Sequence, residues 1–424
     1  MTYTILVIGI LLFLGQVFSS MFEKTRLPDV LPLMFLGLLL GPVSHLVDPS
    51  RFGEAGEIFT TLALVVVLFK SGVDFRILSL RGVVWQGLCL TTVCFAVIMC
   101  TIAFLTHLFL DIPQIYAFII GAIVADNSTA IIIPMIAKLR ISKTAKTILF
   151  LEANLTGVYS IVLALALLSA AVKGDALSPS DLGLNILKTF SIGIVFAVVA
   201  GLFWMRILNH IRNAENAISL TFAFVLLVYS ISGLIGGDGA IATLSFGIVA
   251  GNIRLIRLFW PKLDMHRLLS LDKAEKNFFV EVEFIFKTLF FVYMGICMHI
   301  GQLHLILLGL LLALAKIVFR MPSVNYCLSK SLSRFDCSVI LAMCPNGLVS
   351  AVLAAMIASQ LPSGGVVIQD VIYAVIFFSV LLSNMMSYRI EKGGLVWLGA
   401  KMFSRHGISP AGETEPEQAS SDPS

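Results

Sequence analysis

The feature that most constrains this chain is a succession of apolar segments, each close to twenty residues long, that continues along nearly its whole length. A helix of about 20 apolar residues crosses a hydrocarbon core roughly 30 Å thick. Backbone groups in lipid must be paired within their own segment, so every segment is predicted to be helical. About thirteen spans follow, at residues 3–21, 28–46, 56–73, 83–108, 114–137, 144–172, 182–208, 217–235, 239–253, 278–300, 303–323, 335–359 and 366–388.

The composition excludes a soluble protein. Hydrophobic residues make up 58% of the chain and charged residues 13%, whereas soluble chains are roughly 45–50% apolar and about 25% charged. The net charge of +4 is too small, and its carriers too scattered, to indicate a nucleic-acid partner. We therefore predict an all-α polytopic membrane protein whose surroundings are the lipid bilayer.

The positions of Lys and Arg predict the orientation of the chain. These residues concentrate in alternate loops, while the loops between them hold only Arg51 and Lys173. Because cytoplasmic loops carry the excess of Lys and Arg, we expect the N-terminus outside and the C-terminus in the cytoplasm of a cell (inner or plasma) membrane. Residues 1–403 would form the transmembrane domain, and the polar residues 404–424 a disordered cytoplasmic tail.

The fifth span is interrupted by four consecutive polar residues, Asp126, Asn127, Ser128 and Thr129. Polar side chains at the centre of a bilayer are expensive and mark functional sites. We predict that the helix unwinds at this point.

The twelfth span contains a second interruption, at Pro345, Asn346 and Gly347. Proline removes a backbone donor and glycine relaxes the backbone, while the asparagine can satisfy the groups set free. The two interrupted spans are seven apart. This spacing matches an inverted-repeat transporter, in which each half contributes one discontinuous helix to a site at the midplane.

Several other charges lie deep inside spans and need a partner or a water-filled cavity. They are Lys70, Glu152, Lys287 and Lys316.

With thirteen spans and paired breaks, the chain resembles the monovalent cation/proton antiporter (sodium/proton exchanger) family over nearly all of residues 1–400. GAIVADNST is similar to the family's first broken helix, LEANLTGVYSIVLAL to its ion-site helix, and CPNGLVSAVLAA to its second broken helix. The resemblance implies a homodimer that exchanges Na⁺, K⁺ or Li⁺ for H⁺ by alternating access.

The chain departs from the family's pattern at the ion site. The family usually has Thr-Asp-Pro where this chain has Asn127-Ser128-Thr129, and Asn-Asp where it has Thr156-Gly157. The usual Glu of the third span is replaced by Lys70, and the Arg that often precedes Gly in the twelfth is Asn346. The usual carboxylate is therefore missing, and Asp126 stands two residues before the expected position.

The resemblance also implies roles for the deep charges. Lys316 aligns with an Arg that pairs with the family's Glu, so Glu152 and Lys316 would form a structural ion pair. Lys287 falls where members carry Lys or Arg, and it would compete with the cation for Asp126.

Antiport requires an acid that holds either a proton or a cation. A buried carboxylate can do both, because burial favours its neutral form and a bound cation favours its charged form. Our leading hypothesis is that Asp126 replaces the lost acid, assisted by neutral oxygen ligands. These are Asn127, Ser128, Thr129, Asn154 and Thr156.

Two other functions remain open. Three deep lysines against two deep acids leave an excess of one positive charge, which would suit an anion or organic-acid transporter. A transport-inactive relative that acts as a regulatory membrane protein would also keep this scaffold. The sequence has no Ser/His/Asp arrangement and no Cys/His cluster with metal-ligand spacing, so we predict neither an enzyme nor a cofactor nor a metal site.

Overall fold

The computed structural model describes residues 2–25, 28–47, 53–75, 84–139, 141–173, 179–211, 217–252, 273–299, 301–330, 332–361 and 364–392. The predicted tail at 404–424 lies outside these residues. Many of the basic loop residues behind the predicted orientation, Arg51 among them, also lie outside them. The tail and the orientation therefore stay predictions.

The described residues place helices at all thirteen predicted spans. Two spans are each broken into two helices, and α2 ends in a π-helical turn, Leu39–Val43, that contains Pro42. The helices are α1 (Thr2–Thr25), α2 (Val30–Leu38), α3 (Gly53–Asp74), α4 (Val84–Phe109), α5 (Gln114–Val124), α6 (Thr129–Lys138), α7 (Lys143–Lys173), α8 (Pro179–Ile211), α9 (Ala217–Leu234), α10 (Gly239–Gly251), α11 (Lys273–Cys297), α12 (Leu303–Cys327), α13 (Arg334–Ala342), α14 (Leu348–Gln360) and α15 (Gly365–Glu391).

Six helical segments in the described part of the chain are individually long and apolar enough to cross a membrane. They include Trp85–Phe109, Lys143–Val172 and Leu303–Cys327, and also Gln114–Ile136, which spans the break between α5 and α6. Shorter apolar helices such as Gly239–Gly251 accompany them. The chain is a multi-pass membrane protein.

The helices pack into two bundles. The panel bundle, as we call it, contains α1–α3 and α8–α11, and the core bundle contains α4–α7 and α12–α15. The bundles meet where α14 packs on α3 and α11, and where α2 packs on α15. Both breaks belong to the core bundle and face the seam between the bundles.

Two helix pairs of the panel bundle touch backbone to backbone. Gly37 of α2 and Gly41 of the π-helical turn that follows it lie against Gly295 and Ile296 of α11, and a Cβ on Gly37 or Gly41 would collide with the facing main chain. The four-residue spacing of these glycines is the small-residue pattern that lets membrane helices approach closely.

The second pair repeats this contact between α10 and α3. Gly247 and Gly251 of α10 lie against Gly72 and Val73 of α3, with the same four-residue spacing. Related spans of the two halves lie seven apart, so the second span (α2) corresponds to the ninth (α10), and the third (α3) to the tenth (α11). The contact of α2 with α11 is therefore the counterpart of the contact of α10 with α3, and the predicted inverted repeat is confirmed.

Candidate functional site

The two broken spans cross at their breaks. The residues between α5 and α6 and those between α13 and α14 leave the helical conformation. The backbone N–H of Ser128 donates to the carbonyl oxygen of Pro345 at 2.8 Å. Both predicted interruptions are confirmed, and one hydrogen bond joins them.

Gly347 allows the two breaks to approach this closely. A Cβ on this residue would overlap both Oγ and Cβ of Ser128. The backbone at Gly347 is extended, with φ −144° and ψ −149°, so the position requires glycine for its small volume. The closeness of Ser128 and Gly347 fixes how the broken spans sit on each other.

Replacing Gly347 by Ala should destabilise the crossing, because the added methyl group pushes Ser128 away and strains its bond to Pro345. Overpacking of this kind costs about 1–3 kcal/mol, and we expect a lower melting temperature in detergent. Adding Ser128→Gly should recover part of the loss. Gly233→Ala is the matched control, since a Cβ there meets nothing within 4 Å; equal melting of both alanine variants would contradict the prediction.

The side chain of Asn346 closes the C-terminal end of α5. Its Nδ2 lies 3.2, 3.1 and 3.1 Å from the carbonyl oxygens of Ile123, Val124 and Asp126. The last carbonyls of a helix have no partner within the helix. Asn346 therefore satisfies the groups that the break leaves free, as predicted.

Lys316 reinforces the same helix end. Its Nζ donates to the carbonyl oxygen of Asp126 at 2.6 Å and to Oδ1 of Asn346 at 2.8 Å. The ammonium thus lies where the dipole of α5 is negative. The predicted ion pair between Lys316 and Glu152 is wrong.

Glu152 instead pairs with Arg320, one turn further along α12. The guanidinium makes two bonds to the carboxylate, at 2.5 Å from NH1 and 2.6 Å from NH2. NH2 also donates to the carbonyl oxygen of Ile340, in the last turn of α13, at 2.9 Å. Both charged side chains are fully buried. Lys316 therefore binds the C-terminal end of α5, and Arg320 binds that of α13. These are the first helices of the two broken spans.

Asn127 connects the first break to α7. Its backbone N–H donates to Oγ1 of Thr156 at 3.1 Å, and its Nδ2 to Oε1 of Glu152 at 3.2 Å. Thr156 also donates to the carbonyl oxygen of Ala153 and does not line the cavity described below. In this structure Thr156 holds the break through Asn127, and its role as a cation ligand stays a prediction.

A small polar cavity of about 30 Å³ lies beside the crossing, between the two bundles. It is large enough for a water molecule or a single ion. The core bundle and the panel bundle both contribute polar walls. Its polar lining residues are Ser71, Asp126, Asn127, Ser128, Thr129, Asn154 and Glu283.

Asp126 lines this cavity although only 2% of the residue is exposed. Ser350 donates to its Oδ2 at 3.0 Å. The other oxygen, Oδ1, lies 3.6 Å from the place that a Cβ on Gly157 would occupy. The carboxylate therefore reaches across from the first break to α7.

The remaining predicted ligands have clear positions. Thr129 begins α6 and lines the cavity with Ser128. Asn154 donates from Nδ2 to the carbonyl oxygen of Phe150 at 2.7 Å, so its oxygen Oδ1 is the atom suited to a cation. Oδ1 of Asn127 is buried and has no hydrogen-bond donor among the described residues.

Lys287 lies elsewhere. Its Nζ is 2.6 Å from Oδ2 of Asp29, so the prediction that it competes for Asp126 is wrong. Lys70 is 2.8 Å from Oε2 of Glu283 and 2.9 Å from Oδ2 of Asp74.

These pairings also correct the predicted excess of positive charge. The sequence count omitted the acids Asp29 and Glu283, and the buried Arg320. With these additions the deep charges of that count are four cations and four acids: Lys70, Lys287, Lys316 and Arg320 against Asp29, Asp126, Glu152 and Glu283. Three further described acids, Glu275, Asp336 and Asp370, are also buried. These acids remove the positive excess on which an anion site was based.

The family is decided by comparison with known proteins. Residues 9–387 match the family model described as "Sodium/hydrogen exchanger, transmembrane". The chain belongs to the sodium/hydrogen exchanger family. This is a family of secondary transporters, and the predicted class of function, cation/proton exchange, is confirmed with it.

Two known antiporters are similar to this chain at low sequence identity. The chain is 24% identical over 368 residues to Na(+)/H(+) antiporter 1 of Methanocaldococcus jannaschii, covering 84% of this chain and 83% of that protein. It is 23% identical over 239 residues to the K(+)/H(+) antiporter NhaP2 of Shewanella sp. (strain ANA-3), covering 55% of this chain and 41% of that protein.

Solved structures confirm the exchanger fold. The structure of the sodium proton antiporter MjNhaP1 from Methanocaldococcus jannaschii at pH 8 matches with a TM-score of 0.74 and 22% sequence identity. The match covers 95% of this chain and 99% of that one.

Proposed function

We propose that this exchanger carries a monovalent cation, Na⁺, K⁺ or Li⁺, and that Asp126 is the carboxylate at which the cation and the proton compete. The observation that supports this most directly is the position of its side chain. Asp126 lines the cavity between the bundles, and its Oδ1 lies 3.6 Å from the place that a Cβ on Gly157 would occupy. An acid on α7 at residue 157 and an acid at residue 126 would therefore serve the same space.

The charges around the crossing leave Asp126 free to exchange ligands. The buried pair of Glu152 and Arg320 is internally neutral, and Lys316 is bound to main-chain and amide oxygens. Within the part of the chain that the structure describes, no hydrogen bond joins the Lys316 ammonium to the Asp126 carboxylate. The hydroxyl of Ser350 donates to this carboxylate, and that bond can remain whether a proton or a cation is bound.

Neutral oxygens would complete the coordination of a small cation. Asn127, Ser128, Thr129 and Asn154 line the same cavity, and hard monovalent and divalent cations prefer oxygen ligands. The N-terminal ends of α6 and α14 also face the cavity, where their dipoles favour the charged carboxylate over the neutral acid. A bound cation would then neutralise that carboxylate.

The position of the cavity fits alternating access. Asp126 and its neighbours belong to the core bundle, whereas Ser71 and Glu283 belong to the panel bundle. A movement of one bundle along the other would carry the carboxylate from one side of the membrane to the other. We further propose a homodimer, on the basis of the family, and an N-terminus outside a cell membrane, on the basis of the Lys and Arg in alternate loops.

The test is proton movement in proteoliposomes that hold the purified protein and an internal pH dye. Pulses of Na⁺, K⁺ or Li⁺ should move protons in the opposite direction. If one carboxylate serves both ions, lowering the pH should raise the KM for the cation and leave the maximal rate at saturating cation little changed. A maximal rate that falls while KM stays constant would contradict a shared carboxylate. A flat response to all three cations would favour the transport-inactive alternative.

A further inference from the structure

The panel bundle places a lysine between two carboxylates, one of which, Glu283, lines the cavity. Nζ of Lys70 is 2.8 Å from Oε2 of Glu283, on α11, and 2.9 Å from Oδ2 of Asp74, one turn along α3. The exposed fractions of the side chains are 20% for Lys70, 17% for Glu283 and 50% for Asp74. The three groups therefore form a series from a half-exposed acid to one that lines the cavity.

The ammonium of Lys70 has the charge and the oxygen preference of a monovalent cation. It carries three donors and no acceptor, and it sits on a flexible stem of four carbons. It can therefore leave Glu283 and stay with Asp74 without losing every carboxylate partner. Glu283, once released, would offer its charge to another cation.

We propose that Glu283 contacts the transported cation before Asp126 does, and that Lys70 is a tethered competitor that occupies Glu283 until the cation arrives. This inference rests on the proposed function of Asp126. Glu283 and Asp126 line one cavity from opposite bundles. A second, separate observation points to a ligand in this region, since Asn127 lines the same cavity and its buried Oδ1 has no hydrogen-bond donor among the described residues.

Because Lys70 competes with the cation for Glu283, replacing it by Gln or by Arg should shift the KM for the cation in opposite directions. Lys70→Gln removes the competition, and we expect the KM for the cation to fall about fivefold, the upper effect of a partly exposed ion pair. Lys70→Arg should raise KM, because a guanidinium binds a carboxylate with two parallel bonds. In both variants the maximal rate should change little, since Asp126 is untouched.

Removing the carboxylate should have the larger effect. Glu283→Gln is expected to raise KM about tenfold, the loss of a hydrogen-bonding charged group. The double variant Lys70→Gln with Glu283→Gln should show the KM of Glu283→Gln alone, because the lysine acts only through this carboxylate. A merely structural pair would not produce this dependence.

The experiment measures KM and maximal rate in proteoliposomes with whichever of Na⁺, K⁺ or Li⁺ the unmodified protein exchanges. Lys287→Gln is the matched control. It breaks another ion pair of the panel bundle, in which Nζ of Lys287 lies 2.6 Å from Oδ2 of Asp29. Because this pair does not line the cavity, the variant should leave KM unchanged. Only variants that elute like the unmodified protein in gel filtration are compared. If Glu283→Gln fails this criterion, the two Lys70 variants alone decide.

Opposite shifts of KM in Lys70→Gln and Lys70→Arg would support the inference. Shifts in the same direction, no shift, or an equal shift in the Lys287 control would overturn it. The proposed role of Asp126 is tested separately, because exchange that persists in Asp126→Asn overturns that role whatever the Lys70 variants do.

Discussion

Replacing Asp126 by Asn is expected to reduce cation-dependent proton movement to the level of empty liposomes. The amide keeps the size of the side chain and a partner for the Ser350 hydroxyl, but it neither carries the transported proton nor neutralises a cation. Because the backbone carbonyl that binds Lys316 is unchanged, the protein should fold and elute normally. Normal folding with lost exchange separates a transport role from a structural one.

A relocated carboxylate gives a sharper test of the same idea. Asp126→Ser should be inactive, and adding Gly157→Asp should restore measurable exchange. The reason is geometric, since a Cβ at residue 157 would lie 3.6 Å from Oδ1 of Asp126. The acid would then reach the same cavity from α7.

The control for relocation is Gly233→Asp combined with Asp126→Ser. Gly233 lies on an exposed surface of α9, where a Cβ meets nothing within 4 Å, so a carboxylate there should restore nothing. Exchange that survives in Asp126→Ser alone would contradict the assignment. Failure of the double variant to regain activity, in folded protein, would contradict the claim that the two positions serve one space.

Removing the guanidinium of Arg320 is expected to have the largest effect on stability. Arg320→Met leaves the carboxylate of Glu152 buried without its partner, and breaking a buried ion pair on one side costs about 3–5 kcal/mol. The carbonyl of Ile340 also loses its donor. We expect little monodisperse protein in detergent and a much lower melting temperature.

Removing both charges shows whether the instability comes from an unpaired buried carboxylate or from the loss of the Arg320 side chain itself. The double variant Arg320→Met with Glu152→Gln should recover most of the stability, because no buried charge remains. Lys287→Met is the comparison for an ion pair that retains some solvent contact; its side chain is 18% exposed and that of Asp29 13%, so the loss should be smaller. Arg320→Met protein that melts with the unmodified protein would show that Glu152 is satisfied in another way.

The spans and both breaks could be predicted because their signals are local. A run of apolar residues indicates a helix at its own position. The polar residues that begin at Asp126, and the segment 345–347, likewise each indicate a break at their own position. The ion pairs could not be predicted in this way. Lys316 and Arg320 lie four residues apart on one face of α12, so only the rotation and depth of that helix decide which of them meets Glu152.

Distance along the chain hid the other partners. Asp29 and Lys287 are separated by 258 positions, and Asp29 lies just before α2, where the sequence predicted the start of a span. Glu283 lies near the cytoplasmic end assigned to its span, where a charge needs no special explanation. The signal that could have found it is the replacement of an acid by Lys70 on the facing helix, which calls for a nearby carboxylate.

The two glycine contacts of the panel bundle have a mechanical consequence. Helices that touch through their main chains have no side chains between them that could repack. We therefore expect α2 with α11, and α3 with α10, each to move as one rigid unit. The movement that we propose between the bundles would then run along the seam with the core bundle, which is lined by side chains. Because the two contacts are equivalent under exchange of the two halves, they favour neither end point of the proposed movement. The direction of transport is left to the ion gradients on the two sides.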